Sequence, residues 1–282
     1  MTTLDVSLLG PVRILRSGTP VRGNAALLLA YLVTEAGVPA SREWLAQAFW
    51  PNRPVRKSLH SLRQVLLALR EAPGDAPGDS PGDSPSTPPL LRVTEDTVEV
   101  EAGGDIRCDV SEFMSLFDAC DAHTHRAMES CAPCLRRLSR ATDLMRGDFC
   151  EGSPVWDRPM LEDWLRRWTT SIGDRAKCSL EILTVAHAAH LQWGDALHAA
   201  TRWVAIDPWA DAAQRWEMRA LWRGGNRVAA MTRYDTFRRM LGDDLGVEPE
   251  SETIALYEQI SADPRRWHGN SNESEGSRAL AW

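Results

Sequence analysis

The first hundred residues alternate between apolar and polar positions in a pattern that predicts strands and helices packed together. Alternating apolar residues (Leu4, Val6 and Leu8, then Val12 and Ile14) and a turn at 17–20 predict a strand pair within 4–22. Residues 24–35 are apolar on nearly every side, as is typical of a helix buried on most faces. Ser41 is a good N-cap for a second helix over 42–50, which the following proline ends.

A third helix is predicted over residues 55–71, where apolar residues recur at helical spacing. After it, residues 90–93 and 98–100 predict a short hairpin. Strands, three helices and a terminal hairpin, in that order, indicate a winged helix-turn-helix domain. The apolar stripe of the third helix consists of Leu62, Leu66 and Leu69, with Val55, Ser58 and Val65 beside it.

The chain from Asp109 onward is predicted to be helical throughout, and it contains an internal repeat. Residues 190–208 align with 224–242 at an offset of 34, pairing Ala196 with Ala230. A period of 34 residues is that of tetratricopeptide-type helix pairs. The predicted fold class is therefore mainly α: an N-terminal winged helix-turn-helix (α+β) followed by an all-α, tetratricopeptide-like helical-repeat domain.

Composition predicts where these parts begin and end. Residues 72–89 are rich in Pro, Gly, Asp and Ser and predict a flexible acidic loop inside the first domain. The predicted domains are 1–105 and 106–262, and the polar segment 263–282 is predicted to be a disordered tail.

Charge is distributed unevenly along a chain of net charge −7. Residues 1–71 carry nine Lys and Arg against four Asp and Glu, whereas 72–105 carry one against eight. A basic N-terminal segment on an otherwise acidic chain favours a polyanionic binding partner for residues 1–71. No apolar run approaches the ~20 residues that cross a bilayer, and the N-terminus lacks a signal-peptide pattern. We therefore expect a cytoplasmic protein with no membrane partner. The familiar catalytic motifs are missing, so we expect no enzyme.

Cysteines and histidines gather in Cys120-x2-His123-x-His125-x5-Cys131-x2-Cys134, a spacing typical of metal ligands. The preferred set is Cys120, one of the two histidines, Cys131 and Cys134, which together would form a tetrahedral structural zinc site. Two other interpretations stay open: ordinary buried thiols and a thiol pair that oxidises. Cys108, Cys150 and Cys178 stand apart in the sequence and are expected to be buried.

Several stretches resemble one family of bacterial regulators. LLGPVRILRSGTPV (8–21), SREWLAQAFWP (41–51) and HSLRQVLLALR (60–70) resemble the N-terminal domain of SARP-type transcriptional regulators. MRGDFCEG (145–152) and DDLGVEPESETIALYEQI (243–260) resemble the bacterial transcriptional activator domain that follows it. The resemblance implies a winged-helix DNA reader joined to a tetratricopeptide-like module that dimerises and contacts the transcription machinery.

The 55–71 helix is then the candidate recognition helix, because the major groove of DNA accepts one helix. Arginine pairs well with guanine and glutamine with adenine, whereas residues beside the helix or in the hairpin suit phosphate contacts. The alternative is a solvated basic face that keeps the domain soluble. The candidate DNA-binding residues are Arg53, Arg56, Lys57, His60, Arg63, Gln64 and Arg92.

We expect a transcriptional regulator, and specifically an activator that binds direct repeats of double-stranded DNA as a homodimer and recruits RNA polymerase. The alternative is a helical-repeat scaffold for protein partners whose winged domain no longer binds DNA. Two departures from the family pattern favour this alternative. Leu59 occupies a position that is often basic in relatives, and the first helix begins at Gly23-Asn24 without the usual basic residues.

Overall fold

The computed structural model describes residues 3–71, 90–101 and 105–263. It divides into two compact units, residues 1–179 and 180–282. The predicted acidic loop 72–89, and all of the predicted tail except its first residue, lie outside the described residues. No helix within the described ranges is long and apolar enough to span a membrane.

The first unit contains a four-stranded sheet that confirms the predicted strand pair. Leu4, Val6 and Ile14 are buried on one face, as the alternating pattern requires. The strands are β1 (Thr3–Ser7), β2 (Arg13–Arg16), β3 (Thr19–Val21) and β7 (Asp105–Cys108). They lie in the order β3-β2-β1-β7, with β7 parallel to β1 and the other pairs antiparallel. The hydrophobic pattern did not predict β7.

The winged helix-turn-helix follows, with all three predicted helices and the hairpin in place. Ser41 caps the second helix, since its Oγ accepts a hydrogen bond from the Trp44 N–H at 3.4 Å. The elements are α1 (Gly23–Thr34), β4 (Ala40–Ser41), α2 (Arg42–Phe49), α3 (Val55–Glu71), β5 (Leu91–Val93) and β6 (Thr97–Val100). The short strand β4, which was not predicted, pairs with the hairpin to give a sheet in the order β4-β6-β5.

Three further helices complete the first unit: α4 (Asp109–Asp121), α5 (Ala132–Leu144) and the first part of α6 (Pro159–Ala189). One continuous hydrophobic core runs from the first strand to Ile172 in α6. The predicted boundary at residues 105 and 106 therefore lies inside a shared core.

The loop between α5 and α6 is fixed to the strands of the first sheet. The N–H groups of Leu8 and Leu9 donate to the Asp109 carboxylate at 2.8 and 3.0 Å, and Arg146 pairs with the same carboxylate at 2.8 Å. A Cβ at Gly147 would lie 2.1 Å from Glu151 Oε2, so that the exposed Glu151 side chain would have to move, and 3.3 Å from the Gly10 Cα. The Arg-Gly-Asp-Phe element (146–149), which carries part of the family resemblance, thus has a structural role: through Arg146 it attaches this loop to Asp109 at the start of α4.

The second unit is a helical repeat, as predicted. Two of its helices start 34 residues apart, at Trp193 and Arg227. The aligned residues Ala196 and Ala230 are both fully buried. Its complete helices are α7 (Trp193–Ile206), α8 (Asp211–Arg223), α9 (Arg227–Leu245) and α10 (Ser251–Ala262).

The LGVEP element (245–249) shapes the turn between α9 and α10. Gly246 ends α9 with a φ of 69°, a left-handed conformation that favours glycine. Glu248 accepts two hydrogen bonds from the Arg238 guanidinium, at 2.7 and 3.1 Å. The second sequence element of the family resemblance is therefore also structural.

Candidate functional site

The candidate recognition helix α3 has a buried face and an exposed face. Ser58, Leu62, Leu66 and Leu69 are each no more than 4% exposed and attach the helix to the core. Val55, predicted beside this stripe, is instead 44% exposed. It is the first residue of the helix, just after Pro54, where the chain has not yet reached the core.

The opposite face of α3 presents the predicted base-reading residues to solvent. In the described part of the chain, no acidic side chain lies within ion-pair distance of Arg56, Lys57 or Arg63. Three cations on one exposed face give it a positive potential. The exposed set is Arg56, Lys57, His60, Arg63 and Gln64.

Two serines, which sequence reasoning did not single out as contacts, hold the start of this helix. Ser58 Oγ donates to the Trp50 carbonyl at 3.1 Å and fixes the turn between α2 and α3. Ser61 Oγ accepts from Arg53 Nη1 at 3.1 Å. Arg53 therefore lies alongside the first turns of α3, next to the exposed face of that helix. The spacing of Ser58 and Ser61, three residues apart near the start of a helix, was the sequence feature that could have indicated these contacts.

Both departures from the family pattern have a local explanation. Leu59 is half-buried and packs against the core of the first unit. Gly23 begins α1 with a φ of 64°, and the residue directly before it, Arg22, is an exposed cation, so this helix does have a basic residue at its start.

The acidic residues of the hairpin surround its one predicted DNA contact, Arg92. Arg92 pairs with Glu101 at 2.6 Å and with Glu99 at 3.3 Å. The hydrogen bonds that Arg92 donates to the Glu101 carboxylate, together with the negative charge of Glu101, raise the pKa of Arg92. The exposed turn adds Glu95 and Asp96.

An arginine outside the predicted set holds this hairpin turn. Arg42 Nη1 donates to the carbonyl oxygens of Thr94 and Glu95 at 3.2 and 3.3 Å. The backbone N–H of Arg42 also donates to the Asp96 carbonyl at 2.8 Å. The acidic turn is thereby attached to the start of α2.

The structure brings four of the five predicted metal-ligating residues together. One ligand atom from each of His123, His125, Cys131 and Cys134 lies within 4.8 Å of every other. Cys120, part of the preferred set, is outside this group, and its thiol instead points to the Cys134 carbonyl at 3.9 Å. The group joins the end of α4 to the start of α5.

The remaining thiols are of two kinds. Cys108 and Cys150 are buried, as expected, and burial raises the pKa of each thiol. Cys178, expected to be buried, is exposed. Burial, followed by hydrogen bonds from Cys131 and Cys120, raises the pKa of Cys134 to about 11.

Comparison with known proteins gives a match along nearly the whole chain. The family model of the bacterial transcriptional activator domain matches residues 108–261. The regulatory protein AfsR of Streptomyces griseus is 26% identical over 267 residues, which is 91% of this chain and 24% of that protein. AfsR of Streptomyces coelicolor is also 26% identical over 267 residues, covering 93% of this chain and 24% of that protein. The chain thus spans about a quarter of the length of these curated relatives.

A solved structure shows the same fold. EmbR of Mycobacterium tuberculosis, solved in complex with a low-affinity phosphopeptide, superposes with a TM-score of 0.63 at 22% identity. The match covers 93% of this chain and 65% of that one. The predicted fold class and the predicted family resemblance are both confirmed.

Proposed function

This chain belongs to the bacterial transcriptional activator domain family, and from that premise we propose that it is a cytoplasmic, non-enzymatic regulator that binds DNA sequence-specifically. The exposed cationic face of α3 carries the proposal. The helix is held from behind by its apolar stripe, so Arg56, Arg63 and Gln64 face outward on a rigid support. Rigid positioning matters because base reading depends on the geometry of hydrogen bonds.

The dimensions of this face suit the major groove. A helix with its side chains is about 10–12 Å wide, and the groove is about 12 Å wide. Arg56 and Gln64 are eight residues apart, which at about 1.5 Å per residue is about 12 Å along the axis. At about 3.4 Å per base pair, this face spans three to four base pairs. Arg56 and Arg63 are suited to guanine, and Gln64 to adenine.

Phosphate contacts fall to residues around the helix. Arg53 is held beside the first turns of α3 by Ser61, so its charge is available next to the groove. Arg92 must break its ion pairs with Glu99 and Glu101 before it can bind a phosphate of the DNA backbone. We therefore assign the larger backbone contribution to Arg53. Lys57 and His60 lie at the border between base and phosphate contacts.

The helical unit supplies the protein contacts in this proposal. Two protomers would bind direct-repeat half-sites on one side of the duplex, spaced about 10–10.5 base pairs apart. The repeat unit would also contact RNA polymerase, which makes the protein an activator. Exposed apolar side chains in this unit, including Trp209, Val228 and Val247, support a role in protein contacts.

A scaffold that has lost DNA binding is the second candidate function. The acidic hairpin turn and the two glutamates on Arg92 favour it, because carboxylates next to DNA are repelled by phosphates. In that case, the exposed face of α3 would be only a soluble surface.

Selection from a random duplex library with the purified protein, followed by binding of the enriched duplexes across a salt series, distinguishes the two. We expect a repeated motif and a log–log salt slope of about −0.9 for each phosphate neutralised. The spacing of the repeat would report the arrangement of the protomers. Absence of any enriched motif, together with no salt-sensitive binding, would overturn the proposal in favour of the scaffold.

A further inference from the structure

Two histidines and two cysteines of the first unit approach one another at unusually short range. His123 Nδ1 lies 3.2 Å from Cys134 Sγ and 3.4 Å from Cys131 Sγ. His125 Nδ1 lies 3.8 Å from Cys134 Sγ. Each of these side chains supplies a nitrogen or sulfur atom that can bind a metal ion.

These separations agree with the edges of a tetrahedron around a zinc ion. Zinc binds sulfur at about 2.3 Å and histidine nitrogen at about 2.0–2.1 Å. Tetrahedral angles then place a nitrogen about 3.5 Å and a second sulfur about 3.8 Å from a given sulfur. The three nitrogen–sulfur separations given above differ from this edge by only a few tenths of an ångström, and every other pair of the four donor atoms lies within 4.8 Å.

From this geometry we propose that His123, His125, Cys131 and Cys134 bind one Zn²⁺ ion. Nitrogen and thiolate ligands favour zinc over magnesium or calcium, which prefer oxygen. Four protein ligands leave no open position, so the ion has a structural role and no catalytic one.

A bound ion would hold both cysteines as thiolates, and two nearby features offset part of the cost of burying that charge. Cys131 is the N-cap of α5 and Cys134 lies in its first turn, where the helix dipole stabilises negative charge. Arg137 Nη1 lies 3.9 Å from Cys134 Sγ and also donates to the Ala119 carbonyl at 3.2 Å. This guanidinium supports a ligating sulfur and at the same time contacts the end of α4.

The ion would hold together a connection that has little regular structure. Residues 122–131 join α4 to α5 and contain a single 3₁₀ turn, Met128–Ser130. One ligand follows α4, one lies in the connection and two lie at the start of α5. Zinc would therefore fix the angle between the first two helices of the family domain. This role does not depend on DNA binding.

The test is the zinc content of the full chain, purified under reducing conditions without chelators, by mass spectrometry of the metal. We expect one zinc per chain for the wild type and none for Cys131→Ser, Cys134→Ser or His125→Gln. His125 is only half-buried, so the glutamine variant should keep the fold, which circular dichroism would verify. Matched controls are Cys178→Ser and His190→Gln, both at exposed positions, which should keep one zinc.

Two further variants test the identity of the ligands. Cys120→Ala should keep the full zinc content, because Cys120 lies outside the group. Arg137→Met should keep the site but weaken zinc affinity about 10- to 100-fold, the usual cost of losing a supporting contact. Cobalt added to the metal-free protein should give the absorption bands of a tetrahedral site with two thiolates, unchanged in Cys120→Ala.

Three results would overturn the proposal. The first is wild-type protein that contains no zinc and takes up none when zinc is added to the reduced chain. The second is a Cys131–Cys134 disulfide in protein purified without reductant, with no metal uptake after reduction. The third is loss of zinc in folded Cys120→Ala with retention in folded His125→Gln, which would exclude this ligand set.

Discussion

The indole nitrogen of Trp164 donates a hydrogen bond to Thr34 Oγ1 at 3.1 Å, joining α6 to the last residue of α1. Trp164 is 1% exposed, and its ring lies against Tyr31 and Phe149. One turn later, Trp168 Nε1 donates to Glu35 Oε1, also at 3.1 Å. The beginning of the family domain and the winged helix therefore share one core, which is why the first compact unit extends to residue 179.

Losing the hydrogen bond and part of the indole should cost less than losing the whole ring. Trp164→Phe removes the N–H and some buried volume but keeps an aromatic ring in the core, so we expect a loss of about 1–2 kcal/mol in the free energy of unfolding. Trp164→Ala should cost about 3–5 kcal/mol, because it leaves a cavity. Urea denaturation followed by circular dichroism measures both. Trp156→Phe, at an 81% exposed position, is the control and should change little.

Asp109 is expected to be worth more to stability than a second acidic residue on the same helix turn. Asp109→Ala leaves the buried N–H groups of Leu8 and Leu9 without an acceptor, which costs about 1–3 kcal/mol for each unsatisfied group. Glu112→Ala is the matched control, since its ion pair with Arg140 is exposed and such pairs contribute about 0–1 kcal/mol. Equal midpoints for the two variants in urea would contradict this role for Asp109.

Local patterns in the sequence predicted most of the winged helix and the repeat. The spacing of Leu62, Leu66 and Leu69 correctly predicted which face of α3 is buried and which is exposed. The 34-residue offset correctly predicted the distance between two helix starts in the second unit. Strand β7 escaped prediction because, unlike the equally short strands of the hairpin, it has no partner strand next to it in the sequence. Its pairing partner, β1, lies about a hundred residues earlier in the chain.

At the candidate sites, the sequence predicted the residue types but not all of their contacts or their exposure. Sequence spacing suggested metal binding but not which four residues meet, because Cys120 lies within α4 and its thiol points to a backbone carbonyl. The pairing of Arg92 with Glu99 was within reach, since the hairpin register places them opposite each other. Cys178 was misjudged because its exposure depends on the orientation of the long helix α6.

Neutralising the hairpin glutamates should strengthen duplex binding. Glu99→Gln with Glu101→Gln removes two negative charges and frees Arg92 for a phosphate. We expect tighter binding to every duplex and a salt slope steeper by about 0.9. Titration of a labelled duplex over a range of salt concentrations measures this change. The same substitutions made at Glu248 and Glu252, which lie in the second unit, provide the charge control and should leave the slope as it is.

Alkylation should separate the cysteines by exposure. Cys178 is exposed and should react with iodoacetamide in the native protein. Cys108 and Cys150 are buried and burial raises the pKa of both thiols, so they should react only after unfolding. Peptide mass spectrometry after native and denaturing labelling reads out each site. Labelling of Cys150 before Cys178 would contradict the packing of the first unit.

The most direct test of base reading by α3 compares Arg63→Ala with wild type on the selected duplex and on an unrelated one. We expect the variant to lose about 1–3 kcal/mol on the selected duplex and clearly less on the unrelated one. Arg166→Ala, a change of an exposed arginine on α6, should bind both duplexes like wild type. An equal loss for Arg63→Ala on both duplexes, or no loss on either, would contradict sequence reading by the exposed face of α3.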